Sequence, residues 1–348
     1  MATALVMFMT VPALGLFYGG LVRKKNVLSV LMQCFITLAL VSVIWVAFGY
    51  SLAFSDGELI PGVLGDFKWV FLKGITPDQL SPYYVSDPIG RIPHLSFVMF
   101  QCMFAVITPA LIVGAFAERM KFSSFLAFTA LWEILIYSPL AHMIWSPNGW
   151  LYKLGVLDFA GGTVVHVNAG FAALAAAGLA WPLLDKLVNK RSTILGAATG
   201  AVVGLVAITP AAGYVNVGGA LAIGAIASAV CFVMVTVVKE KFGYDDALDA
   251  FGCHGVGGLV GALLTGVFAN PAVWKGFGAT YAGALYGKPS QFSIQLLGSF
   301  VSVAVAFGGT FALLKLLDAV VGLRVGAKDE AIGLDISQHH ERAYTVLE

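Results

Sequence analysis

A chain of 348 residues with 59% hydrophobic and only 11% charged side chains lacks the polar material of a water-soluble domain, which carries about 25% charged residues. A formal net charge of +1, with no basic tract, leaves nucleic acid without an electrostatic footprint. Apolar residues come in unbroken blocks such as ALVSVIWVAFGYSLAF, so lipid rather than one oversized core is the expected solvent.

In chain order, membrane spans are expected at about 1–22, 27–54, 94–117, 123–143, 158–184, 193–213, 217–238, 253–271 and 291–322, each near the ~20 residues that cross the hydrocarbon as a helix. The blocks do not alternate apolar and polar residues, which excludes a barrel. The fold class is therefore all-α, a polytopic helical membrane protein with about nine spans. The fifth span contains Pro182 where it should be ending. The first starts at Met1 with no charged flank, unlike a cleavable signal peptide. Forty glycines suit helices that pack through small residues.

Positive charge sets the direction. Arg23, Lys24, Lys25, Arg119, Lys121, Lys186, Lys190, Arg191, Lys239 and Lys241 fall on alternate connections, and the tail adds Arg324, Lys328 and Arg342. The opposite side has Lys68, Lys73, Arg91, Lys153, Lys275 and Lys288 over longer segments. An odd number of spans, with the N-terminus outside and the C-terminus cytoplasmic, meets the positive-inside rule. Residues 1–323 form the membrane domain and 324–348 a cytoplasmic tail. The connection 55–93 carries a patch of Phe67, Trp69, Val70, Phe71 and Leu72 that suits the membrane interface.

Two histidines carry the chemistry. His166 stands in DFAGGTVVHVNAG and His254 in DALDAFGCHGVGG, each an acid, then small residues, then an imidazole. An imidazole cannot face lipid without losing its hydrogen bonds, so both should face the interior or a narrow lumen. For a single histidine the plain reading is a hydrogen bond to a neighbouring helix. Two in matching glycine-rich settings favour a pair that shares a proton.

Asp158 lies eight residues before His166, about 12 Å along a helix, too far for a direct bond. It reads first as a cap accepting from Ala160 or Gly161, and second as a charge attracting a cation. Asp249, five residues before His254, has the same two readings. Phe104 is placed to close a mouth and Trp145 to face a cation, an attraction of about 0.5–2 kcal/mol; packing explains either ring alone. His142, three residues from Trp145, reads as structural and satisfied by water, and Glu118 with Arg119 as a helix-end anchor or ion pair. Cys34, Cys102, Cys231 and Cys253 all fall in apolar blocks with no CxxC pair, which favours packing over a metal or disulfide. No cofactor is implied.

The stretches LFYGGLVRKKNVLSVLMQ, FQCMFAVITPALIVGAFAERMKFS, DFAGGTVVHVNAG, ILGAATGAVVGLVAITPAAGYV, DDALDAFGCHGVGG and GLDISQHHERAY resemble the ammonium transporter (Amt/MEP/Rh) family over nearly the whole chain. The resemblance implies a homotrimer in a prokaryotic inner membrane, each subunit with its own pore between two inverted halves. It also implies roles: His166 and His254 as twin pore histidines, Phe104 as outer gate, Trp145 and Asp158 at the recruitment site. The tail would couple subunits and engage a PII-type regulatory protein, with His340 where the family has glycine. A departure follows His166: the family's G-W-F-G-F-N-A-G-S motif is absent, as are about two of the usual eleven spans.

The function these residues imply is passage of ammonium or ammonia. The competing reading is a sensor that binds ammonium but moves little, motivated by the missing spans and the tail. Hydrolysis is disfavoured because HExxH and a serine–histidine arrangement are absent.

Overall fold

The computed structural model describes residues 1–83, 92–171, 194–273 and 281–344, with the backbone alone for 194–198. Seven helices there are long and apolar enough to cross a membrane: α1 (Ala2–Gly19), α2 (Lys24–Phe54), α3 (His94–Phe116), α4 (Phe122–Leu154), α7 (Val217–Phe242), α8 (Phe251–Phe268) and α9 (Ser290–Val320). Between α4 and α7 come α5, which begins as the π-helical turn Gly162–Val167 and runs on to 171, and the apolar α6 (Ile194–Ile208). Eight of the nine expected segments thus contain an apolar helix among the described residues, seven of them long enough to span and α6 shorter. The fifth is described only to 171; Pro182 and the cations Lys186, Lys190, Arg191, Arg91 and Lys275 lie outside the described residues.

Burial explains the arrangement. α3 is apolar all round and 89% of its hydrophobic window is inside the protein, against 17% for α7, so α3 is the central post and α7 a peripheral helix. Around α3 gather large side chains with almost no exposure, among them Trp45, Tyr50, Trp132 and Tyr137.

The connection after α2 adds the only strands among the described residues, an antiparallel pair β1 (Glu58–Ile60) and β2 (Leu64–Gly65). The apolar patch there is split between the interior and the surface. Trp69 is buried and stacked on Tyr50 at 5.5 Å, while Phe67 and Phe71 point outward. The stack on a buried tyrosine gives Trp69 a specific partner. The reading of His142 as satisfied by water also needs correction. The ring is fully buried, with Nδ1 3.0 Å from the Ala53 carbonyl and Nε2 3.4 Å from Glu58 Oε1, so protein groups replace the solvent.

The tail folds back as α10 (Ala327–Ile332) and α11 (Leu334–His339). The Leu334 N–H donates to Asn26 Oδ1 and the Ser29 N–H to Asp335 Oδ1, both at 2.7 Å, which ties the tail to the start of α2. Glu118 and Arg119 do not pair with each other: Glu118 takes Arg23, and Arg119 takes Asp245. His340 ends α11 at φ 57 and ψ 31, a left-handed C-cap that glycine adopts more easily. His340→Gly is therefore expected to steady the tail by about 0.5–1 kcal/mol, read as slower hydrogen exchange at residues 334–341; faster exchange would contradict this.

Candidate functional site

The site is built where α5 crosses α8. Gly170 lies against Gly255 with no room for a Cβ on either, and a Cβ on Gly258 would meet both the Gly162 carbonyl and the His166 Cβ at 2.9 Å. Backbones this close bring side chains on either flank of the crossing into contact. His166 and His254 meet there: their Nδ1 atoms are 3.1 Å apart, and the rings lie nearly parallel, 11° between planes and 5.2 Å between centroids. Each histidine sits in a π-helical turn, Gly162–Val167 for one and Phe251–Val256 for the other, and such turns shift side-chain direction away from the regular helical face.

An Nδ1–Nδ1 contact fixes the hydrogen-bond arithmetic. One ring must donate its Nδ1–H and the other accept, so the neutral pair leaves one Nε2 acceptor and one Nε2–H donor. If the proton shifts along the contact and the rings exchange roles, the outward donor and acceptor exchange with them. The pair can therefore accept a proton on one edge and deliver one from the other.

Each π turn is held by an acid. Asp158 accepts from the N–H groups of Gly161, Thr163 and Val164 at 3.0–3.1 Å, so the capping expectation is met through Gly161 but not through Ala160, whose N–H goes to the Thr209 carbonyl. Asp246 does the same for the second turn, accepting from Ala250 and Phe251 at 2.9 and 2.7 Å. Asp246, not Asp249, is thus the counterpart of Asp158. The sequence contained the signal, since 158 to 166 and 246 to 254 are both intervals of eight. Asp249 matches Gly161 instead: each is five residues before its histidine, and both are left-handed, at φ 54 and φ 102. The Asp249 carboxylate turns to Lys239 at 2.5 Å.

The other predicted residues form one cluster near the opposite end of α5. Phe104 packs edge-on against Trp145 at 5.9 Å and against Phe100 at 5.0 Å. The Trp145 indole N–H donates to the Asp158 carbonyl at 3.0 Å. Asp158 therefore sits between the aromatic cluster and the π turn, and its carboxylate is engaged by backbone rather than open to a cation. Beyond His254 lies a cavity of about 100 Å³ lined by Tyr18, Thr199, Asp249 and Cys253, among others, room for about three waters. The four cysteines are buried and free, and no metal-binding cluster occurs among the described residues.

These features define a class: a multi-pass helical membrane protein whose interior holds two imidazoles in contact, with an aromatic cluster to one side and a small cavity, lined by apolar and a few polar groups, against the second imidazole. The sequence comparisons are more specific. The model of the Ammonium Transporter Family matches residues 1–180 and 173–344. An ammonium transporter of Bacillus subtilis is 41% identical, with 98% of this chain and 96% of that protein aligned, and one of Aquifex aeolicus is 42% identical over 99% and 92%. The crystal structure of Saccharomyces cerevisiae Mep2 superposes with a TM-score of 0.82 at 30% identity, covering 94% of this chain and 86% of that one. The chain belongs to the ammonium transporter family. It is a transporter and not an enzyme, and its place is in a membrane.

The same comparisons bear out the missing segment. The alignment to the Bacillus protein runs over 401 positions, more than this chain's 348 residues can fill, and the two family matches meet at 173–180.

Two outcomes follow from the geometry. Gly170→Ala should push α5 off α8 and cost about 1–3 kcal/mol, seen as a lower melting temperature in detergent; an unchanged melt would show that the crossing is looser than described. Asp246 lies in the connection between α7 and α8, where burial pushes its carboxyl up to about 6, with Asp249 adding to the rise and Lys239 opposing it. Raised above its unfolded value near 3.9, this group contributes stability that is full at low pH and lost as pH rises through about 6. Asp246→Asn should therefore gain on the wild type in thermal melts as pH rises from about 4 to 7; a relative loss would reverse the sign.

Proposed function

We propose that ammonium is gathered at the Trp145–Phe104 cluster, gives up its proton there, and crosses as ammonia past His166 and His254, with the proton returned through the imidazole pair. The observation that carries this reading is the 3.1 Å contact between the two Nδ1 atoms. It supplies both a polar edge for ammonia and a path for a proton within an otherwise apolar passage. Sodium has no proton to leave behind and would have to enter without its hydration shell, so such a passage rejects it.

Within this reading the residues divide the work. The face of Trp145 attracts the cation, and Asp158 acts at one remove: its carbonyl orients the indole and its carboxylate holds the turn that aims His166. Phe104, only 9% exposed, closes the way to water. Beyond His254 the small cavity with Tyr18, Thr199 and Asp249 is where ammonia meets water again.

The wider setting belongs to the same proposal. Residues 1–323 form the transporting body and 324–348 the cytoplasmic tail, with nine spans and the N-terminus outside, as the alternation of basic connections favours. The protein works as a homotrimer in the inner membrane, and its tail is the surface for a PII-type partner. In proteoliposomes, ammonium should evoke a current that His166→Ala and His254→Ala each abolish while remaining folded. Undiminished current in both folded variants would remove the relay.

A further inference from the structure

A carboxyl lies in the membrane-spanning core that neither the histidine pair nor the aromatic cluster uses. Glu133 opens the π-helical turn Glu133–Tyr137 inside α4, eleven residues from Phe122 and so about 16 Å along the axis. Its side chain has no solvent exposure, and neither carboxyl oxygen has a hydrogen-bond partner among the described residues. On one side it meets Gly49, where an added Cβ would sit 3.4 Å from Oε1. Gly49 itself closes a π-helical turn, Trp45–Gly49, and the Trp45 ring lies 6.3 Å from that of Tyr137. Two irregular turns on neighbouring helices thus face each other across this one carboxyl.

Its surroundings decide its state. Among the described residues, the ionisable groups in its electrostatic reach are Tyr137 on its own helix and Cys102 on α3, and no basic side chain pairs with it. A bare carboxylate with no donor and no cation, deep in a low-dielectric interior, carries a desolvation cost of many kcal/mol, which an acid avoids by keeping its proton. Further buried groups line the same helix: Thr129 and Tyr137 stand four residues before and after it and Ser138 follows, and among the described residues the Thr129 and Ser138 hydroxyl oxygens also lack partners.

We propose that Glu133 is a proton-binding site in the membrane core, separate from the histidine pair, with a single proton held as the neutral acid. The Tyr137 hydroxyl, one turn further along α4, is the next group that such a proton would meet. This assignment does not depend on how ammonium is transported, since it rests on the burial and orphaned oxygens of one side chain.

The test reads the protonation state directly. Infrared spectra of wild-type protein in lipid should contain a neutral-acid carbonyl band that Glu133→Gln lacks. A hydrophobic carbodiimide gives an independent readout on the wild type. The carboxyl oxygen adds to the central carbon as its proton moves to one carbodiimide nitrogen, and the O-acylisourea then transfers its acyl group to nitrogen, so no atom leaves. Mass spectrometry should find that adduct on Glu133, which decides the matter even if Glu133→Gln fails to fold. A wild-type protein with neither the band nor the adduct overturns the proposal, as does a band that persists unchanged in a folded Glu133→Gln variant.

Discussion

Everything in this protein's interior depends on two imidazoles satisfying each other where water is scarce. A lone histidine among apolar helices leaves a donor or an acceptor without a partner, at a cost of about 1–3 kcal/mol for each group. Contact between His166 and His254 removes one such deficit on each ring. It also imposes the rest of the design, because rings can meet this way only if their helices nearly touch. Gly170 against Gly255, and Gly258 against Gly162, are the places where side chains had to be given up.

The acids are part of the same constraint. Glycine-rich helices are floppy, and a π turn leaves its first N–H groups short of regular partners. Asp158 and Asp246 collect those N–H groups at an identical distance in sequence from their histidines. The repeated unit of acid, left-handed residue, π turn and imidazole fits two halves built on one plan, as in transporters with inverted repeats. The units differ at the left-handed position. Gly161 fits there without strain, whereas Asp249 accepts the strain and engages Lys239.

Much of the fold was legible because lipid leaves a coarse mark: long apolar blocks, and glycines beside histidines. The histidine pair was legible for the same reason, since buried imidazoles need partners and only one partner of matching setting was present. The register of the second acid was legible only in the spacing: Asp246 and Asp249 both precede His254, and the interval of eight shared with Asp158 and His166 marks which of them faces the turn. The fates of Trp69 and His142 were hidden. Both depended on groups far away in sequence, Tyr50 and the Ala53 carbonyl, which become neighbours only on folding. Glu133 falls in the middle of the expected span 123–143, but that both its oxygens lack partners depends on neighbours brought together only by folding.

Whether the two Nδ1 atoms share one hydrogen is read by nuclear magnetic resonance of the protein with ¹⁵N-labelled histidine. A shared hydrogen gives a through-bond ¹⁵N–¹⁵N coupling between Nδ1 of His166 and Nδ1 of His254, with one nitrogen showing the shift of a donor and the other of an acceptor. Two Nδ1 signals with no mutual coupling, each indifferent to replacement of the other ring, would contradict it.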